Sequence, residues 1–370
     1  MAMTGVEKTI SFLILIFIGI LLKRKMGTKE ELKGLKTLIL CIALPAIIFI
    51  ALLKINVSLE LIYLPLAVLG INFLMLGGTK VYCWLMRESE QASTNRTLLM
   101  LLPSLAPGLS CLPFISEYLG EENLAIAALA DVGNKIFVLI ILYLLAMTWY
   151  FRSKSNSDSS SIPDRSNRMK ELILNLASEP INMVIIVALV MLGLGLNFNS
   201  IPAYGQSVIM KVGAMMTPLV LIFIGLAVDL EWKQSFQIIR ILLWRSGFAF
   251  ILSGFLIFIL PPSISTLTLL LIVIFPQSSC SFWPFAHMSA ISELEKENSL
   301  KTFDMKLAVN LLAFSLLFST ILIITICSTG PLFTNPFLLF GIGIIGMSLS
   351  ILSTVFKAKK LVKEPVIVTR

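Results

Sequence analysis

Asp131, Asn134 and Lys135 stand within five residues of one another, in a stretch (124–148) that carries no other charged residue. A spacing of four puts Asp131 and Lys135 on one helix face, where they can pair. An unpaired charge at mid-membrane costs about 2.5–3.5 kcal/mol on insertion scales, so intramembrane ions are candidates for function. Asp131 then serves as a proton or cation relay, with Lys135 as its partner or as a contact for an anion. Equally, the two form a structural ion pair, or Asp131 lies near the outer interface and faces water. A second set of chemistry-bearing residues falls in two strings. One holds Pro103, Ser104, Pro107, Gly108, Ser110 and Pro113; the other holds Pro276, Gln277, Ser278, Ser279, Ser281 and Pro284. Each proline removes a backbone donor and clashes with the carbonyl four residues back, so two or three in one span open its helix. Freed backbone groups survive at membrane depth only when buried in protein or lining a wet cavity. Hydroxyls and an amide there, with half-helix N-termini, suit a bound anion. The alternative is a pair of kinks satisfied by neighbouring helices. A matched pair, rather than a single kink, favours the binding site.

The elements that position these residues follow from composition. Of 370 residues, 57% are hydrophobic and 14% charged, against about 25% charged in soluble domains. Apolar runs punctuated by charge give eleven spans, near 7–22, 37–53, 61–80, 97–119, 124–148, 180–198, 208–228, 241–260, 265–291, 307–327 and 332–356. Lys23–Lys25 follow the first run rather than precede it, the reverse of a secretory signal. Lys and Arg are retained on the cytoplasmic side, and 25 of the 29 fall on alternate connections, Lys36 and Arg245 among them. Lys8, Lys54 and Lys211 are on the opposite face and Lys135 is inside a span. This places the N-terminus outside and the C-terminus in the cytoplasm of a multi-pass protein of the cell membrane. The net charge of +8 is thus a topology signal, not a nucleic-acid footprint, although the tail Lys357–Lys363 can also meet anionic headgroups.

Enzyme chemistry finds no support: there is no metal-protease, hydrolase or phosphate-loop motif, and one histidine, His287, cannot build a triad and a metal site. No cofactor or metal is expected. His287 reads as a hydrogen-bonded helix residue that could titrate near neutral pH. The five cysteines lie in or beside apolar runs and read as packing residues. Asn56-Val57-Ser58 is an outside sequon close to the membrane.

A polar connector divides the chain into a first five-helix repeat (1–150), a cytoplasmic linker (151–179), a second repeat (180–328) and an added helix with a basic tail (329–370). Five is odd, so the second half enters the membrane from the opposite side. Pro45 and Pro218, Pro103 and Pro276, and Asp131 and Asp304 are each 173 residues apart; Asp304, between Lys301 and Lys306, reads as a solvated helix start. The expected fold is an all-α polytopic membrane protein of about eleven transmembrane helices. It is a 5+5 inverted repeat with broken helices 4 and 9, plus one C-terminal helix. Inverted repeats with discontinuous helices mark secondary transporters. A channel would show a pore-lining charged ring, and none is visible.

At these residues the chain resembles the auxin efflux carrier family of permeases, within the bile acid, arsenite and riboflavin transporter superfamily. The likeness covers residues 8–327. It rests on Leu44-Pro45-Ala46-Ile47-Ile48-Phe49, Gly108 to Pro113, Leu119-Gly120-Glu121-Glu122 and Asp131-Val132-Gly133-Asn134 in the first half. In the second it rests on Glu179-Pro180-Ile181, Ile201-Pro202, Pro218-Leu219 through Gly225-Leu226, and Pro276-Gln277. The resemblance implies a fold like that of sodium/proton antiporters and bile-acid symporters, with helices 4 and 9 crossing at the substrate site. It also implies homodimers and elevator-like carriage of a small organic anion; the relay reading of Asp131 adds a proton or sodium ion as partner. Ala106 stands where the family usually has Asn, so it joins the substrate-binding candidates. The span-9 break is longer than usual before Pro284, the large loop of long plant carriers is missing, and span 11 is extra. A transporter-like sensor or regulator that binds ligand or lipid without carrying it is therefore the alternative.

Overall fold

The computed structural model describes residues 5–26, 28–54, 63–86, 92–154, 180–227, 232–261, 263–295 and 301–361. The linker from 155 to 179, the Asn56 sequon and the tail beyond 361 lie outside them. Among the described residues 88% are helical and none is in a strand. The first half contains α1 (Gly5–Leu22), α2 (Lys29–Leu38), α3 (Leu44–Lys54), α4 (Tyr63–Met86), α5 (Ala92–Leu101), α6 (Pro107–Ser110), α7 (Leu112–Ile136) and α8 (Leu142–Lys154). After the linker come α9 (Pro180–Gly193), α10 (Ala203–Ala214), α11 (Met216–Ala227), α12 (Trp232–Ile259) and α13 (Thr266–Ile274). Then follow α14 (Phe282–Leu294), α15 (Met305–Thr329) and α16 (Pro336–Leu361).

Among the described residues, seven helical stretches are long and apolar enough to cross a membrane: Glu30–Lys54, Tyr63–Met86, Leu112–Tyr150, Ala203–Leu226, Phe236–Ile259, Thr266–Ser292 and Met305–Thr334. Ile10–Leu22, Pro180–Gly193 and Pro336–Ile351 are shorter apolar helices. The protein is thus a polytopic integral membrane protein. Leu112–Tyr150 and Thr266–Ser292 are among the stretches that are interrupted. Leu112–Tyr150 has 39 residues, about 58 Å if straight, but Gly120 turns the chain within it at φ 85°, a region open to glycine without steric cost. Thr266–Ser292 parts into α13 and α14 at 278–281.

Two joints are π-helical: Ile39–Ala43 links α2 to α3, and Phe137–Ile141 links α7 to α8. Such wide turns displace carbonyls from the regular ladder and recur at functional sites. Packing elsewhere is close. Helix α16 lies along α12, where a Cβ on Gly343 would fall 2.7 Å from the Gly247 carbonyl oxygen. Helix α1 lies along α11, and α4 along α7. Trp244 Nε1 on α12 donates to the Gly78 carbonyl on α4 at 3.1 Å. Asp304 caps α15, accepting from Leu307 N at 3.0 Å, whereas Asp131 lies well inside its helix, eleven residues past the Gly120 turn. These two acids, 173 apart in sequence, therefore occupy unlike places.

Candidate functional site

The two proline-rich interruptions meet. In the first, α5 ends at Leu101 and residues 102–106 are non-helical before α6. In the second, a single 3-10 turn, Phe275–Gln277, follows α13, and residues 278–281 run free to α14. The breaks are joined where they cross by three backbone N–H donors: Ala106 N donates to Ser279 O at 2.9 Å, Ser279 N to Ser110 Oγ at 2.9 Å, and Ser281 N to Ser104 Oγ at 2.9 Å. The prolines are placed where their missing N–H does least harm. Pro107 and Pro113 open α6 and α7, and Pro284 falls in the first turn of α14. Pro103 and Pro276 each sit just past the helix that ends there.

The first break is held by side chains from three helices. Arg245 on α12 donates from Nε to Leu102 O at 2.9 Å and from Nη2 to Ser104 O at 3.1 Å. Asn72 on α4 donates to Pro103 O at 2.8 Å. Asn134 on α7 donates to Leu105 O at 2.9 Å and accepts from Leu105 N at 3.2 Å. It also donates to Asp131 Oδ1 at 2.8 Å and accepts from Asn72 Nδ2 at 3.1 Å, so both its donors and both acceptor positions are occupied. Ser110 Oγ takes the Ala106 carbonyl at 2.8 Å. Five successive carbonyls, 102 to 106, are thus bonded by side chains.

Beside the crossing is a cavity of about 300 Å³. Of the sequence candidates, Ala106, Pro107, Gly108, Asp131, Asn134, Lys135, Ser279 and Ser281 line it. Ser104, Ser110, Gln277 and Ser278 do not; they are buried and engaged in the crossing or its supports. Gln277 Nε2 donates to Ser246 O at 3.1 Å, and Ser278 Oγ donates to Phe275 O. Pro103, Pro113, Pro276 and Pro284 also stand behind the wall. Asp131 and Lys135 pair at 3.6 Å, both nearly inaccessible, and Lys135 Nζ donates to Asn182 Oδ1 on α9 at 3.2 Å. His287 bonds the Val138 carbonyl at 3.1 Å, at the π-helical joint, and packs its ring on Tyr143. Cys280 and the aromatic residues Phe223, Phe282 and Trp283 complete much of the wall.

Two cations read as topology markers also take part in the site, one buried and one half-buried. Arg245 is 3% exposed, because α12 begins at Trp232 and carries it thirteen residues into the helix. Lys36 sits at the end of α2, lines the cavity, and holds Nζ 4.4 Å from the centroid of the Phe282 ring. Sequence reasoning also passed over Asn72, Asn182 and Ser315. One signal was present for two of these residues: Asn72 and Arg245 are 173 residues apart, the offset of the proline pairs. No protein-family model matches the chain, and no curated protein matches it in sequence.

Proposed function

We propose that the protein is a secondary-active carrier of a small organic anion, of the auxin-efflux-carrier type, with its site where the broken fourth and ninth spans cross, at residues 102–106 and 278–281. In this reading α1 through α16 form eleven membrane spans. They comprise a 5+5 inverted repeat and one added span, with the N-terminus outside and the C-terminus in the cytoplasm. The observation that carries the reading is the pair of crossing breaks beside a cavity that holds Lys36, Asp131 and Lys135 inside an apolar bundle. Backbone polar groups and ions are costly in a bilayer interior, and a purely structural kink explains no cavity lined by three ions. Substrate reaches the cavity from alternate sides as the crossing helices move, elevator-like, against a framework. A proton or sodium ion is the coupling candidate, acting at Asp131, and two copies pair as a homodimer.

Uptake of labelled organic acids into proteoliposomes under an imposed proton or sodium gradient tests this. Saturable, gradient-dependent uptake that falls at least tenfold in Asp131→Asn is expected. Undiminished uptake in that variant would remove Asp131 from the mechanism, and tight binding with no flux under any gradient would overturn the carrier reading. That second outcome is what a ligand sensor would give. Ala106 favours the sensor: its N–H and C=O are both taken within the crossing, and its methyl group offers an anion no hydrogen bond.

A further inference from the structure

The cavity contains two lysines, and they are not equivalent. Lys135 is engaged on both sides, by Asp131 at 3.6 Å and by Asn182 at 3.2 Å. Lys36 enters from a different helix, α2, one turn before the π-helical joint at Ile39–Ala43. Its ammonium faces the ring of Phe282 at 4.4 Å, and among the described residues no carboxylate oxygen lies within 4 Å of it. A ring face attracts a cation but does not neutralise it, so a partly buried ammonium remains without a counter-charge in a mostly apolar cavity. Burying such a charge is favourable only when a partner of opposite sign is supplied.

We infer that Lys36 is the residue that recognises the ligand's negative charge, and that the site accepts a single negative charge per ligand. The inference rests on the anion-site reading above and deepens it. Lys36, Asp131 and Lys135 together carry one net positive charge when ionised, and that surplus is located at Lys36. A monoanion placed at Lys36 cancels it. A second carboxylate on the same ligand would have to approach Asp131, which repels it, or displace Asp131 from Lys135. The ring of Phe282 holds the ammonium in place until the anion arrives. Charge-assisted contact to the carboxylate then replaces a weaker cation–ring contact.

The test uses two acids of equal chain length, hexanoate and adipate, titrated calorimetrically into the detergent-purified full chain. Wild-type protein is expected to bind hexanoate at least tenfold more tightly than adipate. Lys36→Met loses hexanoate affinity tenfold or more, and Lys36→Arg stays within about threefold of wild type. Lys33→Met, one turn back on the exposed face of α2, binds as wild type does. Should K36M show no cooperative melt, K36Q, which keeps length and polarity, replaces it. Equal hexanoate affinity in wild type and the Lys36 variants would overturn the assignment of Lys36 while leaving an anion site standing. Adipate binding as tightly as hexanoate would overturn the single-charge rule. If wild-type protein binds neither acid, this inference and the anion-site reading fall together.

Discussion

The two breaks that cross at the cavity are stabilised in opposite ways. The first presents carbonyls, from Leu102 to Ala106, to donors: the Arg245 guanidinium, the amides of Asn72 and Asn134, and the Ser110 hydroxyl. The second presents N–H groups to acceptors: Ser279 to Ser110, Cys280 to Ser315 and Ser281 to Ser104. The chemistry follows from which helix end each break exposes. Leu102 to Leu105 continue from the C-terminus of α5, where orphan carbonyls and the negative end of the dipole call for donors and cations. Residues 278–281 lead into the N-terminus of α14, where orphan N–H groups call for hydroxyl oxygens. The supports also differ in origin. The first break is tied to α4, α7 and α12. Two of the second break's three hydroxyl partners belong to the first break itself, and only Ser315 comes from elsewhere. For residues 279 and 281 the order of dependence therefore runs from framework to first break and from first break to second, while Gln277 to Ser246 on α12 and Cys280 to Ser315 on α15 tie the second break to the framework directly.

The largest effect is expected from Arg245→Met. It strands the carbonyls of Leu102 and Ser104 in a dry interior, at about 1–3 kcal/mol each. The methionine escapes the desolvation of a buried cation, so the net loss is about 3 kcal/mol of unfolding free energy, read from thermal or denaturant unfolding of the detergent-purified protein. Arg245→Lys recovers only part of this, because an ammonium lacks the fork that reaches two carbonyls. A variant as stable as wild type would break the claim that the framework holds the first break. Next in size is Asn134→Leu, about 2–3 kcal/mol, since one amide serves both the N–H and the C=O of Leu105. Because Asn134 also bonds Asp131, this variant should lower ligand uptake by more than its stability loss explains.

Ser104→Ala sharpens the comparison. It leaves Ser281 N without its acceptor and costs about 1–2 kcal/mol alone. With Arg245 already replaced, the first break is displaced and the same change should cost less than half as much. A double-mutant cycle measures that coupling, and strict additivity would show the two breaks to be independently held.

These dependencies explain what the amino-acid sequence revealed and what it concealed. Both breaks were legible, because prolines flanked by hydroxyls in apolar runs leave little choice about where a helix opens. The Asp131–Lys135 pair was legible from a spacing of four, and it forms. Arg245 was not. A cation near the start of an apolar run looks the same whether it ends a loop or lies inside the helix, and only the path of α12 from Trp232 decides. Lys36 was hidden for the same reason: it follows Lys29 and Lys33 at helical spacing, and nothing local distinguishes the one that turns toward the cavity. The π-helical joints, at Ile39–Ala43 and Phe137–Ile141, have no composition of their own; they arise from tertiary packing. Ser104 and Ser110 were legible as polar groups at the break but not as its internal braces, since a hydroxyl that accepts an N–H from another helix has the same sequence context as one that meets a ligand.

The smallest effect, and the cleanest probe of the asymmetry, is expected from Ser315→Ala. Ser315 Oγ accepts from Cys280 N at 3.2 Å and itself donates within α15 to Leu312 O at 2.9 Å, so its loss frees one N–H and relieves one back-bond. About 1 kcal/mol of stability should be lost. The effect should also be confined to the second break, because none of the first break's supports passes through Ser315. Cys280 reports this directly: it lines the cavity and is 4% exposed, so loosening its backbone should speed its modification by a small thiol reagent several-fold, read by peptide mass spectrometry. Ser315→Ala combined with Arg245→Met should then be additive in stability, in contrast to Ser104→Ala. If the Ser315 change instead coupled to Arg245 as strongly as Ser104 does, α15 would be part of the framework of both breaks, and the order of dependence would be a closed ring rather than a chain.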